Sequence, residues 1–330
     1  MTPRTIALTG ATGFLGRAIA RELLSRGHTV RALVRDRGKT RGALPSDAGD
    51  RLKVVEGDLF HADALRELLH GSDACIHAVG LLRESGNGQT FQRVHADVTR
   101  VLLAACRTYS VTRLVHISAL GVHDEVRTAY QKTKWEAEQT VRRSGLDWTI
   151  LRPSLIHGVD GEFIRVAAGW ARGSHSPWIF MPYFTRGELS THEVPLAAIN
   201  RITPRVQPVA VEDVARAAAE SLDRSEAVGE TYNLAGPDVF TWPDLLRTLR
   251  DALPGGNEDI EPRPVPSEPA AAFAFVAGKL GFGSLLPFDA GMAVMGATDS
   301  TASTAKARAH LGFEPRPFRE AFASYAGRVG

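Results

Sequence analysis

The run Leu8-Thr-Gly-Ala-Thr-Gly-Phe-Leu-Gly16 constrains this chain more than any other stretch. It follows the short apolar segment Thr5 to Thr9 and opens an amphipathic segment that ends near Arg26. That order reads as a strand, a glycine-rich turn and a helix. Gly10 permits a sharp turn off the strand, Gly13 lets backbone approach a pyrophosphate with no Cβ in the way, and Gly16 lets the helix pack closely. Thr12, Phe14 and Leu15 complete the cradle, at a helix N-terminus whose unpaired N–H groups and partial positive charge suit phosphates. The spacing is G-x-x-G-x-x-G, not G-x-G-x-x-G. Set between a strand and a helix, it predicts dinucleotide binding.

The composition agrees with a soluble enzyme-sized chain and excludes several classes. The 330 residues carry 39 basic and 37 acidic side chains, a formal charge of +2, which gives no electrostatic case for nucleic acid as a partner. Cys75 and Cys106 lack C-x-x-C spacing and read as reduced structural thiols of a cytoplasmic protein. The histidines show no metal-ligand spacing, so no metal is assigned. No run of about eighteen uninterrupted apolar residues suggests a spanning helix. With a first strand starting near Thr5, no room is expected for a signal or transit peptide.

The opening Thr-Gly-x-x-Gly-x-x-Gly resembles the short-chain dehydrogenase/reductase superfamily in its extended or atypical branches. Further pieces join it: Ser118-Ala-Leu-Gly, Tyr130-x-x-x-Lys134, Leu151-Arg-Pro-Ser154 and Gly236-Pro-x-x-x-Thr241. Together they resemble the subgroup that includes the NAD(P)H-binding accessory subunit of respiratory complex I and its bacterial relatives. The resemblance runs from residue 5 to about residue 250. It implies an α/β fold: a Rossmann doubly wound parallel sheet over 1–155, rejoined by 205–236, with a smaller, mostly helical substrate or partner domain over 156–204 and 237–330.

Tyr130 and Lys134, four apart, share a helical face. The resemblance makes them the catalytic pair: Tyr130 would exchange a proton with a substrate oxygen, and Lys134 would draw the phenol's pKa down and bond the nicotinamide ribose. Ser118 is the candidate third member; a different alignment of the strand end puts that position on Ala119, and a plain strand-end hydroxyl is an equal alternative. Family members often carry Asn where this chain has His95. At the cofactor, small Ala78 and Gly80 flank Val79 where a fourth strand leaves the sheet, as close passage to a nicotinamide ribose requires. His77 reads as a polar core residue.

In the family pattern the end of the second strand, beside the adenine ribose, falls on Val34, followed by Arg35. With no carboxylate there, a guanidinium favours a 2′-phosphate, hence NADP(H) over NAD(H), with Arg37 or Lys39 adding charge. Asp36 would be the ribose ligand if the register is shifted. Asp58, with Leu59, would meet the adenine amino group; a turn or helix cap is the alternative. Pro153 and Ser154 would wall the nicotinamide pocket. The loop 84–89 could move over the cofactor, Trp178 to Pro182 look pocket-lining, and Arg186 to Asn200 looks like an insertion. The apolar segment 270–297 could cover an apolar substrate, bind a membrane surface, dock on a protein partner or simply cap the fold. The expectation is a cytoplasmic or membrane-peripheral oxidoreductase or epimerase acting on an unidentified small molecule, with a non-catalytic nucleotide-binding module as the alternative.

Overall fold

The computed structural model describes residues 2–40, 42–85, 88–126, 128–189, 199–280, 286 and 288–330. Parts of three expected features therefore lie outside the described residues: 86–87 of the polar loop, 190–198 of the insertion, and 281–285 with 287 of the apolar segment.

The chain divides into two compact units, of which the first comprises Met1–Pro153, Val209–Ala235 and Ala302–Pro315. Its sheet has seven strands: β1 (Thr5–Thr9), β2 (Thr29–Val34), β3 (Leu52–Glu56), β4 (Ala74–His77), β5 (Arg113–Ile117), β6 (Asp147–Pro153) and β7 (Glu230–Leu234). They lie in the order β7-β6-β5-β4-β1-β2-β3, every pair parallel. This is a Rossmann-like α/β arrangement, and the order reverses between β1 and β4. Ile6, Ala7 and Leu8 are all buried. A strand covered on both faces reads as a continuous apolar run, which is why β1 shows no alternation.

Side chains of successive strand residues point to opposite faces. On one face Ala7 and Cys75 join a core with Leu65, Leu68 and Leu69 of α2 (Ala62–Leu69) and Leu102, Leu103 and Cys106 of α3 (Val98–Thr108). Both cysteines are free thiols buried there, and the hydrogen bond with Cys106, then burial, pushes the Cys75 thiol well up. α1 (Phe14–Ser25) and α5 (Val211–Asp223) pack together, and Arg26 ties them by donating to Glu22 at 2.7 Å and Glu220 at 2.8 Å. The segment 302–315, which the sequence assigned to the smaller unit, belongs to this one. Its His310 Nδ1 lies 2.9 Å from the Tyr232 hydroxyl on edge strand β7, and its Lys306 pairs with Glu230.

The second unit comprises Ser154–Pro208, Gly236–Thr301 and Arg316–Gly330. The helices Glu162–Ala171, Trp242–Ala252 and Phe318–Ala323 contribute Ile164, Ala168, Leu245, Leu249, Phe318 and Phe322 to its core. Thr241 caps the second of these through the Asp244 N–H, with Pro243 in its first turn, as Thr-Trp-Pro-Asp implied. A strand Pro262–Pro266 runs parallel to Met181–Leu189, and the helices Ser267–Lys279 and Ala290–Gly296 pack on each other beyond it.

Candidate dinucleotide site

The glycine loop sits at the carboxyl ends of β1 and β4, where the sheet order reverses and open α/β sheets take their ligands. Gly10 has φ +76°, and a Cβ there would meet the Ala78 carbonyl oxygen at 2.5 Å. Both the turn and the approach of β4 thus demand glycine. At Gly16 a Cβ would lie 2.0 Å from the Gly10 carbonyl oxygen. The close packing is therefore of the helix onto the turn itself. Gly13 is the N-cap of α1, no side chain caps that helix, and its first turn holds no acidic residue. These features fit a pyrophosphate, which needs uncapped N–H groups and no carboxylate nearby.

At the adenosine end, Arg35 follows β2, is exposed, and makes no ion pair among the described residues. Its neighbours are committed elsewhere. Arg37 donates to the Val54 carbonyl at 2.8 Å and pairs with Glu56 at 3.4 Å. An oxygen of Asp36 accepts from the Gly38 N–H at 2.7 Å. Asp58 Oδ1 likewise accepts from the Phe60 N–H at 2.7 Å, the turn role weighed for it, while its second oxygen has no such bond among the described residues. Leu59 points into the hydrophobic core with Val55 and Leu68, so only its backbone is free for a ligand.

Lys134 brings the far end of the site together. Thr128 caps α4 (Ala129–Arg142) through the Gln131 N–H, and the helix carries Tyr130 and Lys134 in its first two turns. The buried Lys134 ammonium donates to the Ile117 carbonyl at 3.1 Å, next to Ser118. It also lies beside Gly80, where a Cβ would stand 3.2 Å from Nζ. The exits of β4 and β5, the ammonium and Ser118 therefore converge. The Ser118 hydroxyl is buried and finds no partner among the described residues. Such a group costs about 1–3 kcal/mol unless something bonds it.

The electrostatics differ from the expected pattern. Burial pushes the half-buried Tyr130 phenol up to about 12, and burial brings the Lys134 ammonium down to about 8. Desolvation of each charged form outweighs any benefit the phenolate draws from the ammonium. Glu138, one turn beyond Lys134, opposes the lysine's shift. This buried carboxylate takes Arg152 Nε and Nη2 at 2.8 and 2.6 Å, and Arg142 Nη2 at 2.8 Å, which clamps α4 onto β6.

His95, which stands where family members often carry Asn, packs against the Tyr130 ring. It lies in a π-helical stretch, Gln92–Asp97, that leads into α3. Its Nε2 accepts from the Leu81 N–H at 3.2 Å, so Nδ1 carries the proton and donates to the Thr133 hydroxyl at 3.0 Å. That hydroxyl donates on to the Ala129 or Tyr130 carbonyl, each 3.0 Å away. The Tyr130 ring stands edge-on to His95 at 5.3 Å and to Phe91 at 5.7 Å. Burial, then the Lys134 charge, bring His95 down to about 2. His77 is the polar core residue expected: Nδ1 lies 2.7 Å from the Thr9 hydroxyl and Nε2 3.1 Å from that of Thr99.

Pro153 closes β6, and its carbonyl accepts from the Leu120 N–H at 2.9 Å. Ser154 begins the second unit, where its hydroxyl donates to the Gln207 carbonyl. In that unit Trp178 and Ile179 are 59% and 76% exposed.

A family model described as NAD(P)H-binding matches residues 10–169. The chain is 34% identical over 244 residues to the ceramide reductase of Caulobacter vibrioides, covering 73% of this chain and 68% of that one. Among solved structures, a short-chain dehydrogenase/reductase superfamily protein from Agrobacterium tumefaciens with bound NAD has the same fold, at TM-score 0.65 and 22% identity over 98% of this chain and 95% of that one. The chain belongs to the NAD(P)H-binding family, with the ceramide reductase among its relatives, and has the fold of the short-chain dehydrogenase/reductase protein. Within it the chain is related to subunit 9 of the mitochondrial NADH dehydrogenase [ubiquinone] 1 alpha subcomplex: it is 27% identical to that of Arabidopsis thaliana over 83% of this chain and 64% of the relative. It spans 58 to 64% of the length of the complex I subunits it matches first.

Proposed function

We propose that the protein is an NADP(H)-dependent oxidoreductase in which Tyr130 exchanges a proton with the oxygen of a carbonyl or alcohol substrate. The nicotinamide, when bound, supplies the hydride chemistry. The observation that carries this reading is the convergence of the Lys134 ammonium, Gly80 and the unpartnered Ser118 hydroxyl at the exits of β4 and β5. Lys134 holds a positive charge where ribose hydroxyls would lie, Ser118 orients the substrate oxygen, and Tyr130 donates to or accepts from it. Gly10, Gly13 and Gly16 hold the pyrophosphate at the start of α1. Arg35, exposed and without an ion pair among the described residues, supports a 2′-phosphate and hence NADP(H). The ceramide reductase relative favours carbonyls on long apolar chains as the first compounds to screen, and the same machinery would serve an epimerase that passes through a ketone.

Calorimetric titration with NADPH and NADH, followed by turnover of Tyr130→Phe, tests the proposal. NADPH is expected to bind more tightly, and the variant to keep that affinity while losing turnover. Equal turnover in the variant would overturn the role of Tyr130, and preference for NADH would overturn that of Arg35. The likeness to the complex I subunits favours a second reading, a nucleotide-binding module akin to them. On that reading the protein binds NADPH and turns over none of the screened carbonyls, with or without Tyr130.

A further inference from the structure

The helix Ser267–Lys279 is built inside out for a water-facing element. Its inner stripe is small, with Ser267, Ala270, Ala274 and Ala277 buried. Its outer side carries the large apolar residues: Phe273, Phe275 and Val276 are 60%, 61% and 54% exposed, and Leu280 just beyond is 66% exposed. Val294 of the adjoining helix Ala290–Gly296 adds to the exposed apolar surface. From Pro269 to Leu280 the only side chain able to hydrogen-bond is Lys279. Its ammonium lies 5.6 Å from the centre of the Phe275 ring, at the end of the apolar stretch.

We infer that this face docks on a phospholipid bilayer, with the phenylalanines at the acyl boundary and Lys279 at the headgroup phosphates. Protein interfaces need roughly one hydrogen bond per 100–200 Å² of contact, and a face whose stretch from Pro269 to Leu280 has one hydrogen-bonding side chain supplies few, since Glu268, two turns before Phe275, already accepts from the Gly187 N–H. Hydrocarbon asks for none. A lysine at the edge of an apolar helical face keeps its charge in the headgroup layer while its stem lies along the acyl chains, and its sign complements anionic lipid. No described helix is long and apolar enough to cross a membrane, so the contact is with one surface of the bilayer. The inference stands on this face alone and holds whether or not Tyr130 is catalytic.

Flotation of the full chain with vesicles of phosphatidylcholine, with and without phosphatidylglycerol, tests it. The wild-type protein is expected to float, more strongly with phosphatidylglycerol. Phe273→Ser/Phe275→Ser should reduce partitioning about tenfold to a hundredfold while NADPH affinity and melting temperature stay unchanged. Lys279→Gln should remove the phosphatidylglycerol dependence and leave the residual binding. Failure of the wild type to float, or equal flotation of the double variant, would overturn the proposal. So would dimerisation in vesicle-free solution that the double variant abolishes without any vesicle binding, since a second copy would then own the face.

Discussion

At the scale of single residues, the histidines decide how the molecule responds to acid. His77 is held down to about 3, His95 to about 2, and His116 well below the usual value of 6.5, in each case chiefly by burial. An unfolded chain would protonate them near 6.5, whereas the fold keeps them neutral. They therefore cost nothing above about 6.5, where both states are neutral, and destabilise the fold progressively as pH falls from there toward the folded values. Each contributes up to about 1.4 kcal/mol per pH unit over that window. Urea denaturation is expected to show a falling midpoint from about pH 7 to about pH 4. His116→Phe should flatten that limb without weakening the protein at neutral pH, because neither His116 ring nitrogen has a partner among the described residues. An unchanged acid limb in the variant would refute this. Of this the sequence showed only His77, which reads as a polar core residue. His95 registered there only as a departure from Asn, because the bonds that fix its tautomer come from Leu81 and Thr133, which are far from it in the chain or on another element.

At the scale of elements, α4 had a readable pattern whose meaning the sequence left incomplete. Tyr130 and Lys134 stand four apart on one helical face, and Glu138 extends that spacing by a further turn, yet nothing local says that Glu138 reaches Arg152 on β6. A buried carboxylate bonded by two guanidinium groups orients the helix that presents Tyr130 and Lys134. Glu138→Ala is expected to cost about 3–5 kcal/mol in chemical denaturation, since it leaves the guanidinium of Arg152 largely buried without its counter-charge. A loss below the resolution of the measurement would show that the clamp contributes no orientation. The glycine loop behaved in the opposite way. Its position between β1 and α1 was evident from three glycines and an apolar run, because its requirements are local: a positive φ at Gly10 and no room for a Cβ at Gly16.

At the scale of the whole molecule, nucleotide binding and stability are one quantity. A ligand that binds only the folded state at a hundred times its dissociation constant adds about 2.7 kcal/mol to the unfolding free energy. NADPH is therefore expected to raise the melting temperature in scanning calorimetry. Gly16→Ala, whose Cβ would collide with the Gly10 carbonyl, should lose that shift and cost about 1–3 kcal/mol by overpacking. A full NADPH shift in the variant would place the nucleotide elsewhere.

Glycine spacing and helical spacing were enough to determine the glycine loop and the pairing of Tyr130 with Lys134 on one helix, because each depends on residues within a few turns of one another, and the short motifs that resemble a known family carried the α/β class. Tertiary structure alone decided the rest: that desolvation outweighs charge at Tyr130 and Lys134, that residues 302–315 join the first unit, and that the helix 267–279 turns its alanines inward and its phenylalanines out. Burial and facing depend on what the rest of the chain brings alongside, and no local spacing encodes that.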